Sequence, residues 1–140
     1  MPELSRQRPG TMRLLNATQY RLPPAGWVSI LHRLSGGLMF VLLPLVIWLF
    51  DMSLTSEISF GVFSSAFVAG IGFVPAWLLK IVVLALIWAY LFHFVAGVRH
   101  LWMDMTHSVS YQQGRISAWI TLVSTAVLTL ILGARLFGAF

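Results

Sequence analysis

The sequence predicts an all-α membrane protein with three transmembrane helices. Three observations carry that expectation. Of 140 residues, 59% are hydrophobic and only 9% charged, with a mean hydropathy of +0.87. A soluble domain carries roughly 25% charged residues, so this chain has too few to cover a surface in water. Three apolar stretches, at about 28–50, 75–103 and 116–140, each reach the ~20 residues that cross a bilayer. Finally, the basic residues gather at the ends of those stretches, as membrane topology requires.

The N-terminal segment, 1–27, is polar and basic and has no apolar h-region, so it is not expected to be a cleaved signal peptide. Its Asn16–Thr18 triplet matches a glycosylation sequon, a pattern common by chance. The remainder, 28–140, reads as one three-helix membrane domain. The first span opens with Ser29, His32 and Arg33, then turns apolar in GGLMFVLLPLVIWLF. Pro44 inside it predicts a kink without an end, because membrane helices tolerate proline. The segment 51–74 is Ser-, Gly- and Phe-rich and weakly polar, and predicts an interfacial loop or a short surface helix. The second span holds the run IVVLALIWAYLF and ends in HFVAGVRHLWMD. A short polar connection at 104–114 implies an antiparallel third helix.

Arg6, Arg8, Arg13, Arg21 and Arg33 flank the first span at one end, and Arg99 and Arg115 flank the second connection. Only Lys80 and Arg135 fall on the opposite side, with Asp51 and Glu57. The positive-inside rule therefore puts the N-terminus in the cytoplasm and the C-terminus outside. The net charge of +5 has the same origin. Without stacking aromatics interleaved on a polar surface it does not indicate nucleic acid. There is no cysteine, which excludes disulfides and thiolate metal sites.

A charged group inside a bilayer costs ~2.5–3.5 kcal/mol on insertion scales, so the depth of each polar residue matters. With Trp27 and Trp102 as interface markers and a rise of ~1.5 Å per residue, His32 lies ~7 Å and His100 ~3 Å inside. His93 lies ~13 Å inside, the deepest histidine, and His107 falls in the connection. His93, Gly97 and His100 share a helix face that Asp104 continues to the water boundary. On the first span Ser29, Arg33 and either Gly36 or Gly37 form a similar stripe, with His32 beside it.

Two readings of these residues stand side by side. A membrane histidine can be a hydrogen-bonding residue between helices, and glycines can serve close packing. Ser29 can bond its own helix, Arg33 and Arg99 can snorkel to headgroups, and His100 can pair with Asp104. Alternatively, a neutral imidazole at this depth suits a haem iron, and Gly97 leaves room for a flat ring against the backbone. His32, Arg33, Arg99 and His100 would then face the propionates. On that reading His93 binds through Nε2, with Nδ1–H donating to a carbonyl such as that of Ala89. No other histidine shares its depth, so the second axial ligand has to come from another polypeptide.

The stretches SILHRLSGG (29–37) and HFVAGVRHLWMD (93–104) follow the patterns S-x-x-H-R-x-S-G and H-x-x-x-G-x-R-H-x-x-x-D. In this the chain resembles the cytochrome b membrane-anchor subunit of succinate dehydrogenase, respiratory complex II, over nearly its whole length. The resemblance implies a haem-binding bundle formed with a second anchor subunit in a bacterial cytoplasmic (inner) membrane. It implies an iron–sulfur subunit and a flavoprotein subunit as further partners, with membrane lipid around the bundle. It implies His93 as an axial ligand of haem b, with His32, Arg33, Gly97 and His100 around the haem, and Ser29 and Arg33 lining a ubiquinone site. The chain itself holds no succinate-oxidising group. A structural anchor without haem or quinone, or a small transporter subunit, is the alternative. The latter predicts ionisable residues spread through the spans, whereas here they collect at one edge. A di-haem menaquinone anchor needs four axial ligands, usually on five helices.

Overall fold

The computed structural model describes residues 22–107 and 110–138, and over these the chain is helical almost throughout. The elements are α1 (Pro24–Val41), α2 (Leu43–Leu54), α3 (Glu57–Ala69), α4 (Ala76–Thr106) and α5 (Tyr111–Leu136). The arginines at 6, 8, 13 and 21 and the Asn16 sequon lie outside the described residues.

α4 and α5 are each long and apolar enough to cross a membrane, and α1 with α2 qualifies when the two count as one bent span. The fold is thus all-helical with two to three candidate spans. The predicted kink at Pro44 is a sharper feature than expected: the helix breaks at Leu42 and turns by 56°. Proline has no N–H for the carbonyl four residues back, and its ring presses on that carbonyl. The 51–74 segment contains the predicted short helix, α3. Ser56 and Ser59 cap it reciprocally, Ser59 N–H donating to Ser56 Oγ at 3.1 Å and Ser56 N–H to Ser59 Oγ at 2.9 Å. The expected 104–114 connection is shorter than its polarity suggested. α4 runs on to Thr106 and α5 starts at Tyr111 behind the Ser110 N-cap. His107 ends α4 in the left-handed conformation, φ 52°, and its N–H caps the carbonyl of Met103.

α1, α4 and α5 pack on one another, while α3 covers parts of α2 and α4. Val28, Phe92, Ala96 and Ala118 are buried at the centre, with Ala25, Leu31, Trp88 and Leu122 around them. Small side chains dominate because lipid tails are as apolar as leucine. Membrane helices gain by close packing and not by leaving water. Thr121 and Thr125 are buried on this face, their hydroxyls donating back to Ser117 and Thr121 carbonyls at 3.0 and 2.7 Å. Near the far end Gly133 meets Leu84, and a Cβ at that position would come within 2.9 Å of Leu84 Cδ1.

That contact can be tested. Alanine at 133 requires only a small shift of the Leu84 side-chain end. Gly133→Leu should wedge α4 from α5 and lower stability by about 1–3 kcal/mol, the usual cost of overpacking. Thermal unfolding of the detergent-solubilised protein, with Gly133→Ala as reference, measures the difference.

Candidate functional site

α1 and α4 bring three histidines into one cluster. The His32 and His93 rings are stacked, 4.1 Å between centroids and 18° from parallel. His100 is tilted against His32 at 5.3 Å. The backbone levels follow the sequence reading, since His32 stands against Gly97, between His93 and His100; a Cβ on Gly97 would lie 3.7 Å from His32 Nε2. The rings nonetheless meet, a contact that depth alone does not predict. An imidazole reaches several ångströms from its Cα, enough to close a gap of one helical turn.

The surroundings of His93 fix its tautomer. Nδ1 lies 3.1 Å from the carbonyl oxygen of His32 and 3.3 Å from Ser35 Oγ. A carbonyl only accepts, so Nδ1 carries the proton and donates to it. The Ser35 hydroxyl in turn donates to the same carbonyl at 2.8 Å. Nε2 is left with its lone pair. The expected partner, the carbonyl of Ala89, is therefore replaced by one from α1. A partner across the interface has no sequence spacing by which to find it. Ser35 was visible as part of a motif but carried no assigned role, although it is fully buried.

The two glycines left open on α1 separate cleanly. A Cβ on Gly36 would lie 3.0 Å from His93 Cε1, whereas one on Gly37 would meet nothing. Gly36 thus admits the imidazole. Ser29 is half-buried, and Arg33, one turn further and next to His32 in the chain, is exposed. The space over Gly97 is taken by His32 and is not left open. His32 Nε2 is buried without a hydrogen-bond partner, which leaves a strongly polar atom available to a ligand.

Arg99 departs from its expected place at the cluster's edge. It is buried, with Nε donating to Ser117 Oγ at 3.0 Å and a terminal nitrogen donating to the Gly114 carbonyl at 3.2 Å. Its charge ties α4 to the start of α5 and is turned away from the histidines. Asp104 is exposed. Among the described residues no three His, Cys, Asp or Glu side chains converge as a metal site. Stacked face to face, the His32 and His93 imidazoles do not present their ring nitrogens to one point between them.

A family model for the succinate dehydrogenase/fumarate reductase transmembrane subunit matches residues 6–132. The chain belongs to this family. The chain is 33% identical over 119 residues to the succinate dehydrogenase cytochrome b556 subunit of Coxiella burnetii, covering 85% of this chain and 90% of that one. The Paracoccus denitrificans subunit of the same name is 31% identical, covering 80% and 81% of the two chains. That of Rickettsia felis is 25% identical over 130 residues, covering 93% and 94%. Membership makes this chain a transmembrane subunit of an enzyme of the succinate dehydrogenase/fumarate reductase class. It also makes the exposed Ile30, Leu34, Phe40 and Ile47 surfaces of a membrane protein, not flaws in a soluble one.

Within this transmembrane subunit Arg99 offers a direct test. Hydrogen bonds from a charged donor contribute about 1.5–3 kcal/mol each. Arg99→Ala should therefore cost several kcal/mol, and Arg99→Lys should recover only part, since one ammonium lacks the fork that reaches both acceptors. Thermal melts of the two variants check the order.

Proposed function

We propose that this chain is the cytochrome b anchor of a bacterial succinate:ubiquinone oxidoreductase, with His93 as one axial ligand of haem b. The observation that carries this reading is the hold on His93 Nδ1 by the His32 carbonyl. Metal-binding histidines characteristically donate their other ring N–H to such a group, which orients the ring and raises its basicity. The names of the relatives, cytochrome b556 subunits, support the same cofactor. The second axial ligand then comes from a partner anchor subunit, with the iron–sulfur and flavoprotein subunits completing the enzyme.

The residues fit the group in three respects. His93 keeps a lone pair on Nε2 and is only half-buried in this chain, so part of its ring is open to a ligand. Gly36 lets the imidazole sit against α1 without displacement. The unpartnered His32 Nε2 is suited to an acidic edge such as a propionate carboxylate, with His100 beside it and the exposed Arg33 next to His32 in the chain. Gly97 accommodates His32 at that edge. Arg99, already bonded to α5, has no part in it. Bound there, haem supplies a one-electron store inside the membrane.

Ubiquinone reduction takes two electrons and two protons, so its site has to be apolar yet close to water. Ser29 and Arg33 lie near the start of α1, at the end where the positive-inside rule puts the cytoplasm. The Ser29 hydroxyl can donate to a quinone carbonyl. Arg33 can favour the negative charge that develops on that oxygen and orient water toward it. Arg33 is exposed and Ser29 half-buried, on a side of α1 that a partner subunit would close. The N-terminus is then cytoplasmic and the C-terminus periplasmic.

His93→Tyr should abolish or markedly shift the reduced-minus-oxidised haem b spectrum of the purified complex. An unchanged spectrum overturns the ligand assignment. Ser29→Ala and Arg33→Leu should lower quinone reduction by at least about tenfold, the effect of losing ~1.4 kcal/mol of transition-state stabilisation. Succinate oxidation with a soluble dye should persist. Parallel loss of both activities would mean failed assembly and no direct part in quinone reduction.

A further inference from the structure

We infer that Ser35 is a positioning residue for His93, acting on the orientation and electron density of the imidazole and not as a filler of the helix interface. The inference rests on the proposed haem-ligand role of His93. Ser35 is fully buried between α1 and α4, where alanine would pack as well and cost no desolvated hydroxyl. Its hydroxyl satisfies two partners. The proton goes to the His32 carbonyl at 2.8 Å, and the oxygen lone pair faces His93 Nδ1 at 3.3 Å. The Nδ1–H therefore has two acceptors, the carbonyl and the serine oxygen, set side by side on one turn of α1.

The consequence is a ring held at two points. With the carbonyl alone, the imidazole can swing about a single hydrogen bond. Neither open side of the site restrains it, because Gly36 presents no side chain and His32 touches only its face. With Ser35 present, rotation away from the carbonyl moves Nδ1–H off one acceptor or the other. Both acceptors also add electron density to the ring, which raises its basicity toward a metal at Nε2. An electron-richer ligand stabilises ferric iron over ferrous, so removing the serine oxygen should raise the haem potential.

The test uses the intact complex and the variants Ser35→Ala and Ser35→Thr, which respectively delete and keep a hydroxyl. Three quantities are measured: haem content, the haem b midpoint potential, and the low-spin ferric EPR signal, which responds to imidazole orientation. Ser35→Ala should keep haem but raise the potential and displace or broaden the EPR signal, while Ser35→Thr stays near wild type. Loss of haem in Ser35→Ala with retention in Ser35→Thr supports the inference equally. Ser35→Ala with wild-type potential and EPR signal overturns it, as does loss of haem in both variants, which marks a position limited by size. The ligand role of His93 is judged separately, since retention of a normal haem spectrum in His93→Tyr would remove that assignment whatever Ser35 does.

Discussion

The structure depends on one hydrogen bond between helices, from His93 of α4 to the carbonyl of His32 on α1. An imidazole in a bilayer has an N–H that water cannot satisfy, and leaving it bare costs several kcal/mol. A carbonyl from a neighbouring helix is reachable only if the two backbones approach closely. That requirement explains the residues around it. Gly36 removes a side chain that would strike the ring, Ala96 is fully buried one turn along α4, and Ser35 is the smallest residue that still offers an oxygen. The packing and the chemistry at this level are thus one constraint, since the approach that satisfies His93 also builds the α1–α4 interface.

Much of the fold was legible because the bilayer leaves few choices. Length and hydropathy marked α4 and α5, since a run of apolar residues in lipid has no alternative to a helix. A short helix was readable in 51–74 from its composition, but its limits are set by the Ser56–Ser59 capping pair and by its packing on α2 and α4. The break at Leu42 was harder. A proline says that a hydrogen bond is missing, but the size of the bend depends on how the neighbours pack, and α2 turns toward α3. Helix ends were misjudged in the 104–114 connection for a related reason. Polar residues such as Asp104 and Thr106 look like a loop, yet a helix emerging from lipid keeps its ladder through them.

The site was legible in its members more than in their pairing. His93, Gly97 and His100 share a face because the helix repeat puts them there, and depth separated His93 from the rest. Depth alone did not reveal that His32 stacks on His93, because side-chain reach is as large as the difference in level. Arg99 illustrates the opposite error. Beside His100 in sequence, it invited a role at the same edge, but adjacent helix positions diverge by 100° and its face belongs to α5. Its guanidinium is consumed by Ser117 and the Gly114 carbonyl.

The two faces of α1 explain why a site of this kind would need a second protein. One face, carrying Val28, Ser35 and Gly36, is spent on α4 and α5. The other carries Arg33 and the open Gly37, with half-buried Ser29 at its border beside Gly36, and these polar or backbone-exposing groups gain nothing from lipid tails. His93 sits at the seam, with its Nδ1 committed inward and its Nε2 uncommitted. His32, the histidine nearest to it, is stacked on its face. In the proposed function, a partner subunit supplies the donor that this chain lacks opposite His93. On the proposed function the same seam serves the quinone, because an arginine at the boundary is cheap to expose to water and costly to bury unpaired. Closing that side with protein and not with lipid lowers the local dielectric around Arg33 and strengthens its effect on a developing negative charge, while the nearby water boundary still supplies protons.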